Sequence, residues 1–128
     1  MPVIMSIDPG LSGGIAYQDR EGNTFAVPMP KGMTEQADLL RALAVDNPGI
    51  ECVIESVGKH FPGNSGVATA TFSRHAGHLE MALYCYGIPT SQVSPQKWMK
   101  AVGPFPKDKK ERKNAIKEKM SRLYPHLT

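Results

Sequence analysis

Two acidic residues in this 128-residue chain stand at positions where a carboxylate needs a reason. Asp8 closes the apolar run Val3-Ile4-Met5-Ser6-Ile7 and is followed at once by Pro9-Gly10-Leu11-Ser12-Gly13-Gly14. Glu55 closes a second run, Ile50-Glu51-Cys52-Val53-Ile54. A carboxylate at the end of such a run is costly unless it is paired or holds a cation. The glycines after Asp8 let the backbone come close to a phosphate or to a metal-bound oxygen. Each motif also has a plainer reading. An Asp-Pro-Gly sequence is a common way to close a hairpin, with the Asp capping the turn, and Glu55 could pair with Lys59. Taken together they read as chemistry. Two bare carboxylates brought side by side repel. A divalent ion that prefers oxygen, Mg²⁺ or Mn²⁺, removes that repulsion.

Whether they come side by side depends on the elements that carry them. Val3 to Asp8 reads as a strand stopped by Pro9-Gly10. Gly14 to Asp19 and Thr24 to Met29 read as two more, joined by a turn at Arg20-Glu21-Gly22-Asn23 and forming an antiparallel meander. Pro28 and Pro30 place the third strand near an edge. Glu35 to Val45 is an amphipathic helix opened by Thr34, with Ala37, Leu40, Leu43 and Ala44 on its apolar face. Asn47-Pro48-Gly49 stops it. Ile50 to Ser56 is a fourth strand, apolar enough to be buried and central. After a three-strand meander, a crossover strand lies beside the first strand. Asp8 and Glu55 are therefore expected as neighbours at the C-terminal ends of adjacent strands. A glycine-rich loop spans Val57 to Gly66. A helix follows from Val67 to Tyr86, then a fifth strand from Pro89 to Ser94. A short helix opens at Ser94-Pro95 and runs to about Ala101. Gly103 to Lys107 is a linker, and a basic helix runs from Asp108 or Lys109 to Tyr124-Pro125. The order βββαβαβαα predicts an α/β fold: one domain over residues 1–128, with a five-stranded mixed sheet and helices on both faces.

Net charge is +3, unevenly spread: residues 97–128 carry ten Lys/Arg against three Asp/Glu. Such a tail suits a phosphate backbone. Lys97, Lys100, Lys107, Lys109, Lys110 and Lys113 are the candidate phosphate contacts, with a solvated helix face as the alternative for some of them. His60-Phe61, in the loop after Glu55, could stack on a base at a branch point, although a Phe in such a loop more often folds under the loop itself. Trp98 reads as core, on a short helix packed against the sheet, and His75 and His78 as helix surface. Cys52 and Cys85 read as small buried hydrophobes in a reducing compartment. No apolar run is long enough to span a bilayer, and the start lacks a basic segment ahead of its apolar run, so a cytoplasmic location is expected. No Ser or Cys at a strand-to-helix elbow supports a nucleophilic triad.

The ordered set of motifs resembles one family. Asp8-Pro9-Gly10-Leu11-Ser12-Gly13-Gly14 followed by Val53-Ile54-Glu55 is similar to the RuvC-type Holliday-junction resolvases, and to their small phage and bacterial relatives in particular. His75-Ala76-Gly77-His78-Leu79-Glu80 stands where that family's helix has a glycine packed close to the sheet. Val93-Ser94-Pro95-Gln96-Lys97-Trp98-Met99-Lys100 resembles its V-x-P-x-x-W-K segment. Lys113 through Leu123-Tyr124-Pro125 resembles its K…L-F-P helix. The likeness covers essentially the whole chain. It implies an RNase H-like fold and a homodimeric, Mg²⁺- or Mn²⁺-dependent endonuclease acting at four-way DNA junctions. Asp8 would be the bridging metal ligand and Glu55 the second. Lys100 and Lys113 would lie near the scissile phosphate. Two further acids are implied on a D-G-x-A-D-A helix, expected beyond Thr128, so residues 1–128 alone are expected to bind branched DNA and cleave it poorly. Asp108, Glu111 and Glu118 do not fall at the matching positions. Two rival readings are a branched-DNA-binding module without catalysis and the phosphate loop of actin-like ATPases and sugar kinases, which share the core fold but are far longer.

Overall fold

The computed structural model describes residues 3–56 and 66–127. The chain forms two compact units, residues 1–94 and 95–128.

The first unit holds five strands and two helices: β1 (Ile4–Asp8), β2 (Gly14–Gln18), β3 (Thr24–Pro28), α1 (Met33–Asp46), β4 (Glu51–Glu55), α2 (Gly66–Cys85) and β5 (Thr90–Val93). The strands form one mixed sheet in the order β3-β2-β1-β4-β5. β1, β2 and β3 make the antiparallel meander, and β4 and β5 add in parallel. The turn between β2 and β3 is built on Asp19, whose carboxylate accepts from the backbone N–H groups of Glu21 and Asn23 at 3.0 and 2.8 Å. These local bonds hold the Asp19 carboxyl below its ordinary range against a partly opposing desolvation. β3, with Pro28 in it, is an edge strand, as the missing proline donor requires.

Strand periodicity divides the residues between two faces. Met5 and Ile7 of β1, Ile15 of β2, and Cys52 and Ile54 of β4 are buried in the core. There they meet Leu40 and Leu43 of α1 and Leu79 and Leu83 of α2. Both helices therefore cover the same face. The handedness of crossovers accounts for this. β3, β1, β4 and β5 are mutually parallel, and the steps from β3 to β4 and from β4 to β5 move in the same direction across the sheet. Right-handed connections then place both helices on one side. On the opposite face Ile4, Ser6, Asp8 and Glu51 are exposed, and Val53 and Glu55 are half-buried.

α1 starts at Met33 with Gly32 at the cap position and no side-chain cap, rather than at Thr34. Its buried stripe includes a polar residue, Gln36. Cys52 is buried as expected, and burial pushes its thiol up to about 12. Cys85 is exposed instead. It lies at the end of α2, two residues past Leu83, on the side turned away from the core. Gly77 is exposed as well, and a side chain added there would meet nothing within 4 Å. The inward stripe of α2 is His75, Ala76, Leu79 and Leu83, so position 77 points out.

The second unit holds α3 (Pro95–Val102), α4 (Lys109–Leu123) and a short 3₁₀ turn (Pro125–Leu127). Asp108 caps α4 by accepting from the Glu111 backbone N–H at 3.0 Å. Trp98 is half-buried and sits edge-on to Phe105, with ring centroids 6.5 Å apart. Lys119 reaches back to the Val102 carbonyl and lies over the Phe105 ring. Among the described residues, no helix is long and apolar enough to cross a membrane.

Candidate functional site

The β1–β4 register pairs Ile7 with Ile54. The next residues along are Asp8 and Glu55, both on the face turned away from α1 and α2. Parallel neighbours lie about 4.8 Å apart, so the two carboxylates share one small patch at the C-terminal edge of the sheet. The electrostatics agree with that placement. Partial desolvation, and then the Glu55 carboxylate, raise the Asp8 carboxyl above its ordinary value. The donor set, two carboxylates whose charges oppose each other, suits a hard divalent cation. Asp8 and Glu55 would hold it. Among the described residues no third His, Cys, Asp or Glu completes a cluster with them.

The turn after Asp8 is fixed by two glycines. Gly10 adopts φ +107°, a left-handed conformation that side chains resist, and the Phe72 ring lies 3.2 Å from where its Cβ would be. Gly13 donates its backbone N–H to the Gly10 carbonyl at 3.0 Å. A Cβ on Gly13 would fall on the carbonyl oxygen of Asp8 itself. Gly13→Ala is therefore expected to displace the Asp8 backbone and to destabilise the protein by roughly 1–3 kcal/mol, as overpacking against backbone does. Thermal melting of the variant beside the parent checks this.

Behind the turn, α2 contributes two histidines that the sequence assigned to the surface. His75 is only 5% exposed, and its Nδ1 accepts the Gly10 backbone N–H at 2.9 Å. His78 Nε2 donates to Gln36 Oε1 at 2.7 Å, and Gln36 Nε2 donates to the Pro30 carbonyl at 2.6 Å. This direction follows because the Gln36 amide nitrogen is already committed as donor. The signal was present in the spacing. His75 stands four residues before Leu79 and eight before Leu83, on the same helical stripe.

Most of the remaining candidates lie in the second unit. Lys97 and Lys100 are exposed on α3, Lys107 precedes α4, and Lys109, Lys110 and Lys113 are exposed on its first turns. Phe61, with Lys59 and His60, falls outside the described residues.

A solved structure of Thermus thermophilus RuvC in complex with a Holliday junction substrate matches this chain with a TM-score of 0.57. The match covers 80% of this chain and 71% of that one at 14% sequence identity. The fold is RNase H-like. A second Thermus thermophilus RuvC structure matches with a TM-score of 0.49 at 17% identity, over 78% of this chain and 68% of that one. No family model and no curated protein matches the sequence. The mixed sheet with β1, β4 and β5 in parallel is thus the architecture expected from the element order.

Proposed function

We propose that the chain is a structure-selective DNA endonuclease that uses divalent metal to hydrolyse phosphodiesters at four-way junctions or other branched DNA. The observation that carries this reading is the juxtaposition of Asp8 and Glu55 at the C-terminal ends of β1 and β4, on the face left open by α1 and α2. The likeness of the fold to a RuvC solved with a Holliday junction substrate supports it. Asp8 and Glu55 hold Mg²⁺ or Mn²⁺, which when bound supplies an activated water and stabilises the leaving oxygen. The Gly10–Gly13 turn fixes the Asp8 carboxylate at the strand end, through the backbone constraints described above. Lys97, Lys100, Lys107, Lys109, Lys110 and Lys113 attract and hold the phosphate backbone, and Phe61 stacks on a base at the branch. The protein acts as a homodimer, since a two-fold assembly matches a two-fold junction.

The test is a cleavage assay of the full-length protein on labelled four-way junction, flap and linear duplex, in Mg²⁺, in Mn²⁺ and in chelator. Cuts confined to the branched substrates and dependent on metal are expected. Metal-independent cutting, or none on any branched substrate, would sink the proposal.

A further inference from the structure

A second feature lies beside the turn that carries Asp8. Between that turn and the N-terminal halves of α1 and α2 runs an open cleft of about 640 Å³. It sits at the carboxyl edge of the parallel strands, where open α/β sheets receive their ligands. Its lining is one-sided in chemistry. Lys31 and Arg74 supply cationic donors, and no Asp or Glu is among the described residues that line it. Leu11 and Phe72 supply apolar and aromatic surface. His75 also lines it, and its two nitrogens differ. Nδ1 takes the Gly10 N–H, so the neutral ring carries its proton on Nε2. That Nε2–H is buried and has no hydrogen-bond partner among the described residues. A buried donor without an acceptor is unusual in a folded protein. The positive surroundings are felt by the neighbouring ring too: burial, and then Arg74, hold His78 below the ordinary imidazole range.

The geometry points to this cleft as a site for one nucleotide of a single DNA strand. Its phosphate oxygens would meet Arg74 and Lys31, its unpaired base would lie against Phe72 and Leu11, and the His75 ring would form part of the wall. The donor set fits phosphate and carbonyl oxygens, and the aromatic edge fits a base of any identity. The choice of a nucleic-acid strand as occupant rests on the nuclease reading. Gly10 belongs both to the lining of this cleft and to the turn that follows Asp8.

The experiment follows the imidazole signals of His75 and His78 by NMR in the full chain, without divalent metal, during titration with pentathymidylate and, separately, with inorganic phosphate. Saturable shifts of both histidines by pentathymidylate are expected. Lys31→Gln with Arg74→Gln, both at exposed positions, should weaken that response by about tenfold through loss of two charge-assisted contacts. Phe72→Leu should weaken the response to pentathymidylate and leave that to phosphate unchanged. Histidine signals that stay fixed while the oligonucleotide binds elsewhere would overturn the inference. So would a response indifferent to the double variant. Equal affinities for phosphate and pentathymidylate would show free phosphate, not a strand, to be the occupant. Cleavage enters none of these readouts. A failed junction assay with moving histidines would overturn the nuclease reading alone, and the converse would overturn the cleft alone.

Discussion

Asp8→Asn should abolish metal-dependent cleavage while leaving the fold and junction binding intact. The amide keeps the shape of the side chain and loses the charge that holds a cation. Even residues that merely orient metal ligands cost about 10- to 100-fold when replaced, so loss of a direct ligand should cost at least about a hundredfold. Stability should move the opposite way. Partial burial and Glu55 raise the Asp8 carboxyl above its ordinary value of 3.8. The folded state therefore holds that proton more tightly than the unfolded chain does. The stabilisation linked to it is fully present below the unfolded value and is lost as pH rises through the folded one. At neutral pH and without metal, the ionised carboxylate strains the patch, and the Asn variant should melt at a higher temperature than the parent. The gap should close in acid, where the parent is neutral too, and should narrow when Mg²⁺ or Mn²⁺ is added. Melting curves at acid and neutral pH, with cleavage rates on a four-way junction, check both halves. Near-normal cleavage by the variant would remove Asp8 from the metal site.

Replacing Lys109, Lys110 and Lys113 together with Gln should change how binding responds to salt. Each neutralised phosphate releases counterions, so the logarithm of affinity falls linearly with the logarithm of salt. Three lost contacts should flatten that slope by about one unit each. Between about 50 and 200 mM salt, the parent should lose roughly fortyfold more affinity than the triple variant. The three lysines are exposed on the first turns of α4, and none is part of a buried stripe, so the variant should fold normally. Fluorescence anisotropy on a four-way junction across a salt series measures the slope. An unchanged slope would leave these lysines as a solvated helix face.

The sheet was legible in the sequence because strands announce themselves by short apolar runs broken at Pro and Gly. The placement of Asp8 beside Glu55 followed from topology alone, since a crossover after a three-strand meander has few places to land. The proline opening α3 at Pro95 was read from a residue type with one backbone use there, while the start of α4, open between Asp108 and Lys109 in the sequence, falls at Lys109 with Asp108 as its cap. What escaped was tertiary. His75 and Gln36 are polar residues on inward stripes, and residue type argued against burial while spacing argued for it. Their burial becomes intelligible once Gly10 and Pro30 are known to offer a donor and an acceptor at the far end. Cys85 failed for the reverse reason: an apolar type at a helix end that is exposed.

The two-residue period of β1 has a consequence for how this gene can change. Met5 and Ile7 belong to the core, while Ser6 and Asp8 alternate with them on the other side. A substitution at Ser6 or Asp8 leaves the core volume untouched, so the site can be altered chemically at little risk to folding. An insertion or deletion of one codon within residues 3–8 does the opposite. It turns every side chain beyond it to the other face, sending a carboxylate among Leu79 and Leu83 and bringing Met5 or Ile7 into water. Over these few codons, missense changes and frame-preserving indels are therefore under unequal selection, the first tested on function and the second on whether the chain folds at all.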